Sequence, residues 1–297
     1  MSSYLGELAG LGTALCWSFG SVFFTISSRR LGHHVVNRTR LALALLLLAI
    51  AHFIMYGRFV PAHTTSYHLF WFGLSGIIGF AIGDTLLFRA FVLLGARLSM
   101  LLMCLVPVFG TIIAWLFLHE ILDLTKIIAI IITIAGVAWV VTERRNEKYK
   151  KSHDVEGIIC GIGGALGQAV GLILSKKGLG SDFSALSGNI IRVFAATSVL
   201  WMITLLRGKI PQTFKKLEDR KGALTMCGGT VFGPFMGVWL SLVAIQYTFV
   251  GIASTLMALP PIFLIPLSHW VFKEKISLGA ILGTIVAVIG VALIFLM

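Results

Sequence analysis

The sequence predicts an all-α integral membrane protein of ten transmembrane helices, built as two inverted five-helix repeats. Three observations carry that expectation: an apolar composition, a strong bias in where the positive charges fall, and ordered self-similarity between the two halves. Of 297 residues 58% are hydrophobic and only 12% charged, about half the charged share of a soluble domain. Apolar runs of about 20 residues, each enough to cross a hydrocarbon core of roughly 30 Å as a helix, fall near 8–27, 39–57, 69–88, 98–118 and 125–142. Five more follow near 157–175, 186–206, 223–246, 252–272 and 278–296. Lipid offers no partner to an open backbone amide, so runs this apolar read as helices. The hydrophilic stretches ERRNEKYKKSHDVE (143–156) and RGKIPQTFKKLEDRK (207–221) are too short and too polar to bury a core of their own. The opening MSSYLGELAG has no basic region and no cleavage site, so the first run is expected to stay in the chain as a helix.

The formal net charge is +12, and where it sits says more than its size. Assigned to the nearest connection, 19 of the 24 Lys and Arg fall in odd-numbered connections, in groups around Arg29, Arg89, Arg144, Arg207 and Lys273. Even-numbered connections hold Arg58, Lys126, Lys176 and Lys177, and Arg192 is left inside a run. By the positive-inside rule the odd connections face the cytoplasm, which puts both termini outside the plasma membrane. Topology explains these positives, and no aromatic-interleaved basic motif accompanies them, so no nucleic-acid partner is expected. The expected partners are the bilayer and a small-molecule substrate. Cys16, Cys104, Cys160 and Cys227 lie in apolar runs without CxxC spacing; they read as packing residues, and neither a metal nor a cofactor is expected.

The halves repeat one another in order. LVPVFGTIIAWLFLHE (105–120) is echoed by LPPIFLIPLSHWVFKE (259–274), GTALCWSFG (12–20) by GGALGQAVG (163–171), and NRTR (37–40) by NIIR (189–192). Gly79 and Gly83 match Gly233 and Gly237, and GVA recurs at 136–138 and 290–292. The first repeat therefore covers 1–142 and the second 156–297, with a basic cytoplasmic linker at 143–155. Five helices per repeat is an odd number, so the second copy enters the membrane from the opposite side. Inverted repeats let a carrier exchange outward-open and inward-open states by swapping the conformations of two similar halves around a central site.

With the mid-run prolines Pro107 and Pro261, the LHE and FKE endings at Glu120 and Glu274, and the paired GVA, the chain resembles the drug/metabolite transporter superfamily, specifically its ten-helix EamA-type carriers. The resemblance covers nearly the whole chain. It implies an exporter or exchanger of amino acids, metabolites, nucleotide sugars or other small polar solutes, working without ATP. No GxxxxGK[ST] phosphate cradle is present.

Candidate working residues follow from cost. Pro107 and Pro261 fall midway in their runs, and Pro260 and Pro234 add further breaks; a proline removes a backbone hydrogen bond, so Pro107, Pro260 and Pro261 are hinges or else static kinks absorbed by packing. Asp84 is the one acid well inside an apolar run, and burial at such depth points to function or pairing. It lies fifteen residues past Leu69, about 22 Å along a helix, where Arg40 can meet it, whereas Arg89 faces away. Asp84 is thus either a proton-coupling site or half of a structural ion pair with Arg40. Its repeat counterpart is Val238, which leaves Arg192 without a matching acid; Arg192 either receives a substrate carboxylate or phosphate or snorkels toward headgroups. Trp17 and Gln168 are repeat counterparts whose polar atoms need partners in mid-membrane. Asn37 and Asn189 open the N-x-x-R phrases, as substrate contacts or as caps and interhelical glue. Trp239, Gln246 and Tyr247 are further candidates for the same cavity, and Trp71 and Trp270 read as interfacial anchors. Glu120 and Glu274, beside the unlike His119 and Lys273, read as helix-end or gate residues.

An intramembrane enzyme would need convergent acids, bases or metal ligands, and the sequence offers no second buried carboxylate and no HExxH or GxSxG phrase. A channel or lipid scramblase is the other alternative. The small-residue spacing Gly12, Cys16, Gly20 permits close helix contact within a monomer or across a homodimer.

Overall fold

The computed structural model describes residues 4–61, 64–118, 123–146, 151–179, 183–247 and 250–296, which are helical apart from short connections. The first half contains α1 (Leu5–Leu31), α2 (His33–Tyr56), and a long rod formed by α3 (Ser66–Gly76), a π-helical segment (Ile77–Gly83) and α4 (Asp84–Leu94). It continues with α5 (Ala96–Leu102), α6 (Leu105–Leu118) and α7 (Leu124–Asn146). The second half contains α8 (Lys151–Leu179), α9 (Ala185–Leu206), a short α10 (Ile210–Leu217), and a rod of α11 (Arg220–Thr230), a second π segment (Val231–Gly237) and α12 (Val238–Tyr247). It ends with α13 (Val250–Met257), α14 (Pro260–Phe272) and α15 (Leu278–Leu296).

Among the described residues nine helical spans are long and apolar enough to cross a membrane, and the chain is a multi-pass membrane protein. Its exposed surface is apolar, with Ile54, Leu69, Leu206 and Trp270 outward, as a lipid-facing bundle requires. The run expected at 252–272 is not one long helix: it is divided at Ala258–Leu259 into α13 and α14. Pro260 and Pro261 begin α14, where a missing N–H costs nothing because the first amides of a helix have no partner. The equivalent break in the first half is at Met103–Cys104, where Cys104 N–H turns to Leu101 O (3.0 Å) and Val106 N–H to Met103 O (3.0 Å). Each break lies just upstream of its proline, because the ring crowds the preceding turn. Glu120 and His119 lie outside the described residues.

The two π segments begin 154 residues apart, at Ile77 and Val231, and contain the glycine pairs that the repeat aligns. In the first, the Asp84 amide reaches back five residues to Gly79 O, so one residue is inserted and the local backbone is opened. Each π segment packs on the opposite half: Gly83 meets the α8 backbone at Gly167 and Gln168, and Gly233 meets α1 at Gly20. The stripe Gly12, Cys16, Gly20 is therefore used inside the chain, with Gly12 against Leu240 and Gly20 against Gly233. The GVA glycines are contact points between α7 and α15: a Cβ on Gly136 would strike Ala287 of α15, and one on Gly290 would strike Thr133 of α7.

The two ends of the bundle are held differently. At the charge-rich end ion pairs join the halves, among them Arg30 with Asp219 (2.7 Å), Arg89 with Glu156 (2.9 Å) and Arg97 with Glu274 (3.5 Å). Arg89 thus faces away from Asp84, as the helical angle requires. At the other end the halves meet through hydroxyl and ring contacts: His52 with Ser187 Oγ (3.0 Å), Tyr67 Oη donating to Lys177 O (2.9 Å), and His68 stacked on Phe183.

The Arg30–Asp219 pair lies outside the spans, and the Arg30 guanidinium, with the Gly222 amide, holds the Asp219 carboxyl below its ordinary value of 3.8. A lowered folded-state pKa contributes stability above that ordinary value and loses it as pH falls through the lower one. Asp219→Asn is therefore expected to lower the melting temperature by a small and constant amount above pH 3.8, small because the pair is solvent-screened, and to converge on the wild type as pH falls below that value. Melting curves of the two proteins in detergent from neutral pH to pH 2 or so check this.

Candidate functional site

Asp84 begins α4, directly after the first π segment, and is buried. Its carboxylate forms an ion pair with Arg40 Nη2 of α2 and accepts a hydrogen bond from Gln168 Nε2 of α8 at 2.5 Å. One donor comes from its own half and the other from the opposite half. Asn37, one turn before Arg40 on the same face of α2, accepts from Arg40 Nε (3.2 Å) and Nη2 (3.1 Å) through its side-chain oxygen. Its amide nitrogen donates to Phe80 O and Thr85 Oγ1, both at 2.9 Å. Gln168 Nε2 also approaches Gly79 O at 3.4 Å. The carbonyls of the π segment are thus met by side-chain amides from two neighbouring helices, the kind of satisfaction that irregular backbone needs at membrane depth.

Arg40 lies against a pair of touching rings, its guanidinium carbon 4.6 Å from the Phe88 centroid and 5.3 Å from that of Phe24. Arg192 reaches the same region from α9, over the Phe80 ring at 4.4 Å. It forms no ion pair among the described residues, and its Nε has neither a partner nor contact with solvent. The α9 backbone at Arg192 comes so close to α3 that only a glycine fits at position 76. Asn189 is buried one turn before Arg192 on α9.

The structure therefore brings Asn37, Arg40, Asp84, Gln168 and Arg192 into one neighbourhood between the halves, with Asn37, Arg40 and Asp84 buried and Gln168 and Arg192 partly exposed. Trp17 lies elsewhere: its indole edge occupies the place where a Cβ on Gly237 would stand, so it leans on the second π segment as Gln168 leans on the first. Trp239 and Tyr247 stand apart from this network, 41% and 52% exposed, with Trp239 packed edge-on against Phe235. The side chain of Gln246 lies outside the described residues. Sequence reasoning missed Phe80 and Thr85, which line the network, and Arg38, which donates to Thr204 Oγ1 (3.0 Å) and to Thr213 and ties α2 to α9 and α10. Thr85, next to Asp84, was within reach of a sequence argument; Phe80 was one apolar residue among many. An apolar groove of about 460 Å³ between α1 and α14, lined by Leu15, Phe19, Phe263 and Trp270, faces lipid and is separate from the polar network.

A buried acid paired with one guanidinium, a second guanidinium nearby and opened backbone beside them make an arrangement able to bind a small polar solute. The EamA-like transporter family model matches the chain twice, over residues 4–142 and 155–296. The chain belongs to this family. An EamA-like transporter is a membrane transporter of the drug/metabolite superfamily, and the two matched segments divide this one at the basic stretch after α7. No curated protein matches the sequence significantly. One solved crystal structure superposes on this EamA-like transporter with a TM-score of 0.64, covering 97% of this chain and 95% of its own at 14% identity, a likeness of fold alone.

Proposed function

We propose that this protein is a secondary transporter, an exporter or exchanger of small polar metabolites such as amino acids, working by alternating access between two inverted five-helix repeats. The observation that carries the reading is the recurrence of the same two irregularities in each half: a π segment displaced by 154 residues and a proline-associated break displaced by 155. Irregular helices at matched places around a polar centre are what a rocking pair of halves uses to reshape its site. In this reading Pro107, Pro260 and Pro261 mark the hinges, and the polar network is the centre of the substrate site. The charge-rich end, with its bridging ion pairs, faces the cytoplasm, which places both termini outside the plasma membrane. The small-residue stripe of α1 is used inside the chain, which favours the monomer as the working unit.

Asp84 is the proposed coupling residue. In the described state it is held by Arg40 from one half and Gln168 from the other, so movement of the halves exchanges one of its donors. The carboxylate then prefers the proton differently in the two states, which is the requirement for coupling.

Counterflow of a labelled amino-acid panel into proteoliposomes tests both parts. Wild type is expected to show saturable exchange, and Asp84→Asn to keep exchange while losing pH-driven accumulation. Accumulation undiminished in the variant would remove the coupling role. Linear, unsaturable flux in wild type would favour a channel or scramblase instead.

A further inference from the structure

Around Asp84 the membrane interior holds two guanidiniums and one carboxylate. Arg40 has an acid of its own: it meets the Asp84 carboxylate, the Asn37 side-chain oxygen and the rings of Phe24 and Phe88. Arg192 has the face of Phe80 and the field of an acid already committed to Arg40. A ring face is a weak substitute for a carboxylate, and the Arg192 Nε, shut off from water without a partner, is a costly group for a membrane helix to carry. The repeat sharpens the point. Both arginines close an N-x-x-R phrase, but the residue equivalent to Asp84 in the second half is Val238, so the partner that Arg40 owns is missing for Arg192.

We infer that the transported solute supplies it: the solute carries an anionic group, a carboxylate or a phosphate, and Arg192 receives that group. This rests on the transporter reading above and names the chemistry of its cargo. A guanidinium is a planar fork of donors matched to either oxyanion, and Nε, which lacks any partner, is one prong of that fork. Beside Arg192 there is room for about one methyl-sized group. Gly79 contributes no side chain at the point where Arg192 Nη2, Gly171 Cα and Gln168 Oε1 converge, at 3.6, 3.7 and 3.8 Å from where its Cβ would be. The Gln168 amide spans this point and Asp84, so a solute on Arg192 touches the same glutamine that holds the proposed coupling acid. With a monoanion bound, the buried centre is neutral; without one it carries a net positive charge.

The test uses the full chain reconstituted in phosphatidylcholine nanodiscs and pairs of probes that differ in charge: N-acetyl amino acids against their amides, and inorganic phosphate. Expected is a rise in melting temperature with the carboxylate or phosphate probe and none with the matched amide. Arg192→Gln is expected to weaken that response at least tenfold, and Arg192→Lys, which keeps the charge but loses the fork, to fall between. Should Arg192→Gln fail to fold, an intermediate response in Arg192→Lys still supports the site, and a response equal to wild type overturns it. Amides acting as strongly as carboxylates, or no shift with any anionic probe, also overturns it. Counterflow in parallel separates the two readings. Saturable exchange restricted to neutral or cationic solutes and indifferent to Arg192→Gln sinks the anion site and leaves the transporter. Anion-selective stabilisation without exchange of any solute does the reverse.

Discussion

Asp84→Ala is expected to cost about 3–5 kcal/mol of stability, because removing one member of a buried pair leaves the other charge without compensation. The side chains of Asp84 and Arg40 are each 7% exposed, so water cannot replace the lost carboxylate, and Arg192 stands close enough to make the excess charge worse. Asp84→Asn keeps the shape and one acceptor and is expected to cost less. Replacing both partners, Asp84→Leu with Arg40→Leu, is expected to recover much of the loss, since two apolar side chains of adequate volume need no partners. Thermal melting of the two singles and the double gives the interaction energy directly, and counterflow on the same proteins separates structure from function. A stable double variant that still accumulates substrate against a pH gradient would show that the pair only holds two helices together.

The meeting of Asp84 with Arg40 was legible in the sequence as one of two open readings, because depth put one acid and one base at similar levels. The place of Arg192 was legible only in part. Its run and depth were readable, but its direction depends on how α9 rotates against the first half, and that is decided by the close approach at Gly76, which no periodicity encodes. The π segments were visible only as aligned glycine pairs, Gly79 with Gly83 and Gly233 with Gly237. A glycine pair reads equally as a smooth helix seam, and the inserted residue appears only once the backbone bond from Asp84 to Gly79 is known. The proline breaks were expected in the right helices but fall upstream of the rings, at Met103–Cys104 and Ala258–Leu259. The small helix α10 was hidden in a stretch whose polarity suggested a plain loop; Thr213 is nonetheless buried there, against Arg38.

Gly76→Ala is the single methyl expected to do the most damage to the site. A Cβ at position 76 would fall on the carbonyl oxygen of Arg192, with the Arg192 carbonyl carbon 2.7 Å away and its Cα 2.8 Å away. All three are backbone atoms, so no rotamer change relieves the clash, and α3 must separate from α9. Overpacking of this kind costs roughly 1–3 kcal/mol and sometimes more, partly offset by the better helix propensity of alanine. The functional loss is expected to exceed the loss of stability, because the displaced segment is the one that aims Arg192 at Phe80 and Gly79, and site geometry tolerates only small displacements. Gly110→Ala is the control: nothing lies within 4 Å of its Cβ position, so propensity acts alone and stability should stay level or rise by up to about 1 kcal/mol. Melting temperature and counterflow of both variants, measured in one membrane preparation, set the two against each other. Equal behaviour would mean that α3 and α9 can part without cost, and the placement of Arg192 would then lose its structural support.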